Sequence, residues 1–181
     1  MRLFVAIEVS SEIRKRIDEF VKRIQPHLPN ARFVRPEGLH ITLKFLGNVA
    51  DERRSAIEGA LRQIKASHFE VSVRNIGFFP NPRSPRVLWV GIESGPELGT
   101  LATAADKELA TIGFEREKRS FTPHVTLARF KEGGKTGNVS SVLPASSPSF
   151  GTMTATEFHL YESKLSPKGA SYFKLADFVL K

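Results

Sequence analysis

The tetrad His40-Ile41-Thr42-Leu43 recurs 84 positions later as His124-Val125-Thr126-Leu127. Each copy has the pattern of a strand. Side chains alternate faces along a strand, so His40 and Thr42 share one face, and Ile41 and Leu43 the other. The apolar face suits a core. The polar face sets an imidazole beside a hydroxyl, a poor use of a core position and a good use of a cleft. With five histidines and ten threonines in 181 residues, random placement gives about 0.3 cases of Thr two places after His, so two matched copies are rare by chance. Reading both as strands that merely carry a satisfied histidine needs the same accident twice.

A near-half-chain spacing predicts a pseudo-duplicated fold, with each motif strand facing a shared central groove. A length of 181 residues accommodates one domain, residues 1–181, built from two lobes on a common core. The remaining periodicities agree. Arg2 to Val9 reads as a strand. A helix capped by Ser10 or Ser11 follows, with Ile13, Ile17, Phe20, Val21 and Ile24 on one side, and Pro26 ends it. Arg32 to Arg35 reads as a short extended piece, Leu39 to Leu46 as the first motif strand, and Asp51 to Ala66 as a second helix. Phe69–Phe79 and Arg86–Glu93 form a hairpin around a proline-rich basic loop. Pro96 to Ile112 is a third helix and Phe121 to Phe130 the second motif strand. Lys131 to Pro148 reads as a surface loop with a short helical turn, Ser149 to Leu165 as one long strand, and Ser171 to Leu180 as its hairpin partner across Ser166-Pro167-Lys168-Gly169. Helices interspersed with hairpins predict an α+β fold with antiparallel sheets around a groove and helices outside.

Composition narrows the chemistry. The chain has no cysteine, which excludes a disulfide framework, a thiolate zinc site and a cysteine nucleophile, and fits a reducing cytoplasm. The start of the chain meets Glu8 after a short apolar run, and no stretch approaches the roughly 20 apolar residues of a membrane span. The expectation is a soluble, unexported, cytoplasmic protein that makes no membrane contact. A net charge of +8 attracts polyanions such as nucleic acid, although basic surfaces also serve solubility and thermal stability.

Two imidazoles in one cleft can hold opposite protonation states, one accepting a proton while the other donates. That pair suits displacement at phosphorus, with a base on the attacking oxygen and an acid on the leaving one. Thr42 and Thr126 can hydrogen-bond the nonbridging oxygens. The scheme requires neither cofactor nor metal. Hydrolytic zinc needs three protein ligands, whereas neither motif carries an acidic residue or a second histidine at ligand spacing. No nucleophile-elbow pattern supports a serine triad.

Four further stretches bear on identity: Phe33-Val34-Arg35-Pro36-Glu37-Gly38-Leu39 leading into the first motif, Pro85-Arg86-Val87-Leu88-Trp89-Val90-Gly91, Phe121-Thr122-Pro123-His124-Val125-Thr126-Leu127-Ala128-Arg129, and Tyr161-Glu162-Ser163-Lys164-Leu165-Ser166-Pro167-Lys168-Gly169. With the paired motifs, nearly the whole chain resembles the two-histidine (2H) phosphoesterases. Within them it is similar to the bacterial and archaeal RNA 2′,3′-cyclic phosphodiesterases, historically called 2′-5′ RNA ligases. The resemblance implies a bilobal α+β fold and hydrolysis of RNA 2′,3′-cyclic phosphate ends to 2′-phosphomonoesters. It implies His40 as proton donor, His124 as proton acceptor, Thr42 and Thr126 as phosphate ligands, RNA as partner, and possible reversal to 2′-5′ ligation. The chain is expected to be a monomer.

Around these residues, Arg129 is a candidate phosphate ligand, but strict alternation places it opposite His124, so reaching the cleft needs a bulge or strand end. Parity places Lys44 on the His40 face and Phe45 on the core face. Phe45, Phe79 and Trp89 are candidate base-stacking residues or core. Arg83, Arg86 and the run Arg116-Glu117-Lys118-Arg119 are either a basic rim or solvated charge. His27, His68 and His159 lack the motif and are expected to be non-catalytic, and Gly133-Gly134-Lys135-Thr136-Gly137 reads as a loop without the earlier glycine of a phosphate loop. The alternatives are a 2H phosphoesterase acting on small cyclic nucleotides or 2′-5′ oligonucleotides, and a non-catalytic RNA-binding module.

Overall fold

A computed structural model of the chain describes residues 1–131, 139–142, 147–167 and 169–181. The Gly133–Gly137 string and Lys168 of the last turn lie outside the described residues. The strands are β1 (Arg2–Glu8), β2 (Ala31–Phe33), β3 (His40–Asn48), β4 (Phe69–Phe79), β5 (Val87–Ser94), β6 (His124–Phe130), β7 (Ser149–Ala155), β8 (Glu157–Ser166) and β9 (Gly169–Val179), and the helices are α1 (Ser11–Ile24), α2 (Arg54–Leu61) and α3 (Glu97–Thr111).

All strand pairings are antiparallel, and the strands join one nine-stranded sheet in the order β7-β4-β5-β6-β3-β1-β8-β9, with β2 alongside β6. The order is symmetric about its centre. From the seam outward, one half runs β3-β1-β8-β9 and the other β6-β5-β4-β7, so the expected duplication is a single curled sheet with the two motif strands innermost. They register at Ile41↔Val125, the apolar residue between His and Thr in each motif.

β1 shows how the sheet divides its faces. Leu3, Val5 and Ile7 enter the main core, whereas Phe4 and Ala6 join Tyr161 and Tyr172 in a small cluster on the opposite, concave face. Helices cover the convex side. Ser10 caps α1 by accepting from the Ile13 N–H, and the buried Ile13, Ile17, Phe20, Val21 and Ile24 form its core stripe. The helices cross over: α1, which follows β1, packs on β7 of the far half, and α3, which follows β5, packs on β3. Phe20 meets Phe150 edge-on at 5.4 Å, and Arg16 donates to the Phe150 carbonyl.

The larger departures from the sequence pattern fall at three places. The stretch read as one strand from Ser149 to Leu165 is β7 and β8, which separate at Thr156 and pair with β4 and β1 in opposite halves. The second motif strand begins at His124 rather than Phe121, because Pro123 has no N–H to give the ladder. The second helix is shorter than Asp51–Ala66: a 3₁₀ turn over Asp51–Arg53 opens it and it ends at Leu61. The helical turn in the late loop is present as Val139–Val142.

Candidate active site

The two motif strands share one irregularity. Along β3, Val5 pairs with Lys44 but Ala6 with Thr42, leaving Leu43 as an extra residue. Along β6, Leu88 pairs with Ala128 but Trp89 with Thr126, leaving Leu127 extra. These β-bulges occupy equivalent positions and reverse the parity of the residues beyond them. Leu43 and Lys44 are both buried, as are Leu127 and Ala128. The residue five places after each histidine, Phe45 in one copy and Arg129 in the other, then emerges on the histidine's own face.

Three expectations meet the structure here. Arg129 gains the bulge it needs: it is exposed, and its charge acts on both His40 and Tyr172. The parity reading of Lys44 is corrected, because it is buried on the far face. Its ammonium is ion-paired to Asp106 of α3 and donates to the Glu115 carbonyl at 2.7 Å. The core reading of Phe45 is likewise corrected: its side chain is 62 % exposed, on the concave face, with its ring 6.0 Å from that of Phe4.

His40 and His124 are held alike. Nδ1 of His40 donates to the Gly38 carbonyl at 2.6 Å, and Nδ1 of His124 to the Thr122 carbonyl at 2.7 Å. A carbonyl oxygen only accepts, so each Nδ1 carries a proton, and Nε2 is the ring nitrogen left for the cleft. In both cases the acceptor lies two residues before the histidine. Neither ring is hydrogen-bonded to a carboxylate among the described residues. Thr42 and Thr126 sit one strand step beyond, partly exposed on the same face.

The surroundings of the two rings differ. His40 lies in an aromatic pocket, 4.6 Å from Phe4 and edge-on to Tyr172 at 5.0 Å. Gly38 is needed there, since a Cβ on it would lie 2.8 Å from the Tyr172 ring. His124 meets one ring, Phe79, edge-on at 5.1 Å, and Phe79 packs on Trp89. Trp89 lies flat across Gly77, where a Cβ would fall 2.2 Å from the indole. Burial pushes His40 down to about 4, against the pull of the Gly38 carbonyl, and the charges of Arg129 and His124 act in the same direction as burial. Burial also raises Tyr172, opposed by Arg129 and Arg2.

The burial of His40 makes stability depend on pH. Unfolded, the ring titrates near 6.5, and folded near 4. Above pH 6.5 it is neutral in both states and contributes nothing to pH dependence. As pH falls from 6.5 to 4, the unfolded chain takes up a proton that the folded chain refuses, so stability declines, by up to about 3 kcal/mol below pH 4. Urea unfolding at pH 7 and pH 4.5 measures it: His40→Asn is expected to lose less stability than wild type over that interval, and equal losses would return His40 to an ordinary titration.

The other candidates lie apart. Arg83 and Arg86 are exposed on the β4–β5 loop, where the Asn81 side chain accepts from the Arg83 and Ser84 N–H groups. His27 closes a 3₁₀ turn and His68 is exposed before β4. His159 is buried on the concave face, with Nδ1 2.8 Å from Asp177 and Nε2 3.7 Å from Glu157. These three residues are close enough to form a metal-ligand set. However, the two carboxylates face different ring nitrogens and Lys174 stands 3.9 Å from Asp177, the arrangement of an ion-pair cluster. Among the described residues, no helix is long and apolar enough to cross a membrane.

Comparison with known proteins identifies the family. Two successive segments, residues 7–89 and 90–172, each match the family model described as LigT like Phosphoesterase. An Archaeoglobus fulgidus protein named RNA 2′,3′-cyclic phosphodiesterase is 40 % identical over 98 % of this chain and 99 % of its own length. A Methanothermobacter thermautotrophicus protein of the same name is 34 % identical over 99 % of each. Among solved structures, TT0787 of Thermus thermophilus superposes with a TM-score of 0.85 at 28 % identity, covering 99 % of this chain and 98 % of that one. E. coli LigT complexed with 3′-AMP superposes at 0.81 with 30 % identity, covering 99 % and 97 %. The break between the matched segments falls within β5, so each segment carries one His-x-Thr motif, and the chain is a member of the LigT-like phosphoesterase family.

Proposed function

We propose that this chain is a metal-independent RNA 2′,3′-cyclic phosphodiesterase that leaves a 2′-phosphomonoester. The observation that carries the reading is the matched pair of imidazoles, each fixed through Nδ1 so that Nε2 faces one concave surface with Thr42, Thr126 and Arg129. Its relatives of the same length bear that name.

In this reading His124 accepts a proton from water as its oxygen attacks phosphorus, the bond from phosphorus to the ribose 3′-oxygen breaks, and His40 protonates that oxygen. One water is consumed, and proton exchange with solvent resets the pair. The hydroxyls of Thr42 and Thr126 and the Arg129 guanidinium hold the nonbridging oxygens and the charge that builds on them. Burial keeps His40 neutral near pH 7, and a phosphate anion beside it favours its protonation, which readies it as a donor. With a 5′-hydroxyl in place of water as the nucleophile, the same groups form the bond from that oxygen to phosphorus as the bond to the 3′-oxygen breaks, which joins the ends by a 2′-5′ linkage. The protein acts as a cytoplasmic monomer on free RNA ends.

The test is incubation with an RNA oligonucleotide ending in a 2′,3′-cyclic phosphate, with EDTA present, followed by mapping of the product end. A 2′-phosphate is expected. A 3′-phosphate would reverse the substrate between the histidines. No reaction on RNA, with turnover of a small cyclic nucleotide or a 2′-5′ oligonucleotide, would replace the substrate assignment.

A further inference from the structure

Beside Phe45, at the edge of the concave surface that this ring faces, lies a cavity of about 370 Å³, lined by Lys44, Phe45 and residues 115–119. We propose that this cavity, with Lys118 and Arg119 at its rim, holds the nucleotide immediately 5′ to the terminal one, so that the enzyme favours an RNA chain over a mononucleotide. The inference rests on the phosphodiesterase reading above and adds a second subsite to it.

Three observations support it. The first is continuity. The bulge at Leu43 turns Phe45 outward on the face that carries His40 and Thr42, and Phe45 also forms one wall of the cavity. With the cyclic phosphate between the histidines and the terminal base against Phe45, the 5′-oxygen of the terminal ribose leads the chain past that ring and into the cavity.

The second is a fixed floor. Asp106 of α3 accepts from the Lys44 ammonium, the Arg116 guanidinium and the Glu117 N–H together. Burial raises its pKa, but these three hydrogen bonds outweigh it and hold the carboxyl below its usual range. One carboxylate thus ties the segment that starts at Glu115 to the strand bearing His40. Seven residues after Arg116 that segment reaches Pro123 and then His124, whose orientation depends on the Thr122 carbonyl.

The third is the charge left over. Lys44 and Arg116 are committed to Asp106. Lys118 and Arg119 reach outward, with side chains 82 % and 86 % exposed, and among the described residues they pair with the neighbouring Glu115 and Glu117. Exposed pairs of this kind are worth little, so a phosphodiester displaces them readily and gains charge-assisted hydrogen bonds in exchange. Base stacking on an aromatic wall with cations at the rim is a general solution for single-stranded nucleic acid.

The experiment compares kcat/KM for adenosine 2′,3′-cyclic phosphate with that for a ten-nucleotide RNA carrying the same end, in wild type and in Lys118→Ala/Arg119→Ala. A second readout, independent of turnover, is fluorescence anisotropy of the wild type and the double variant with the 2′-phosphorylated product RNA at 50 and 200 mM salt. The wild type is expected to favour the oligonucleotide. In the double variant the oligonucleotide-to-mononucleotide ratio is expected to fall about tenfold, through KM, and the salt slope of binding to flatten by about two contacts. An unchanged ratio, or a wild type that treats both substrates alike, overturns the subsite while leaving the phosphodiesterase reading intact. If the wild type opens neither substrate, the phosphodiesterase reading fails, and anisotropy that is equal in both proteins then removes the subsite as well.

Discussion

His124→Ala is expected to lower kcat for opening an RNA 2′,3′-cyclic phosphate by about 10²–10⁴-fold, with a much smaller change in KM. The ring is partly exposed, its Nδ1 serves only to orient it on the Thr122 carbonyl, and its ring neighbour is the edge of Phe79. Thermal unfolding should therefore move little, which separates lost chemistry from lost fold. His40→Ala is expected to cost a comparable factor in kcat and, because that ring packs against Phe4 and Tyr172, some stability as well. The double variant should be hardly worse than either single one, since an acid and a base acting in one step fail together. Wild-type activity should follow a bell-shaped pH profile that loses a limb in each variant. A loss below tenfold in both single variants would remove the pair from the chemistry.

The largest loss of stability is expected from Asp106→Ala, about 3–5 kcal/mol, because it strands the Lys44 ammonium inside the protein. The Lys44 side chain is 7 % exposed and, among the described residues, would keep only the Glu115 carbonyl as a partner. At this chain length each kcal/mol moves Tm by about 2–4 °C, so a drop of about 6–20 °C is the expected readout. Lys44→Met should cost less, because Asp106 keeps Arg116 and the Glu117 N–H and a thioether chain fills the same space. Combining the two changes should recover part of the loss, a coupling that a double-mutant cycle measures directly. A drop under 1 kcal/mol for Asp106→Ala would mean that water reaches the pair.

These residues also mark where reading along the chain succeeds and where it stops. The motif histidines and threonines are legible because their signal is local: four residues at a period of two, stated twice. The helix α1 is legible for the same reason, its core stripe and Ser10 cap lying within fifteen residues. Parity fails at Lys44 and Phe45 because a bulge is a property of two strands. Leu43 becomes an extra residue only when β1 is laid beside β3, and nothing in its own neighbours announces that. For Arg129 the chain alone poses a conditional, cleft if bulged, and the ladder with β5 supplies the condition. The partner that keeps Lys44 inside lies 62 residues away, beyond the reach of any short pattern. Thr156 ends a strand without glycine, proline or charge, so β7 and β8 read as one. The carbonyls of Gly38 and Thr122 escape a sequence reading because a main-chain acceptor leaves no residue type to find.

The seam between the two halves has a consequence for tuning. β3 and β6 register through one Cα pair, Ile41↔Val125, whereas β1–β3, β5–β6 and the outer pairs are long ladders. Hydrogen bonds across the seam therefore hold the gap between the two imidazoles only weakly. From behind it is braced by α1 of one half, which rests on β7 of the other, and by α3, which rests on β3. The helices act as the two handles of a pair of tongs, with the histidines at the tips. Substitutions such as a trimmed Phe150 under α1, far from phosphate and touching no reacting atom, can then alter turnover by changing the gape of the jaws. In the proposed mechanism, the spacing that acid and base need is braced from the convex side of the sheet.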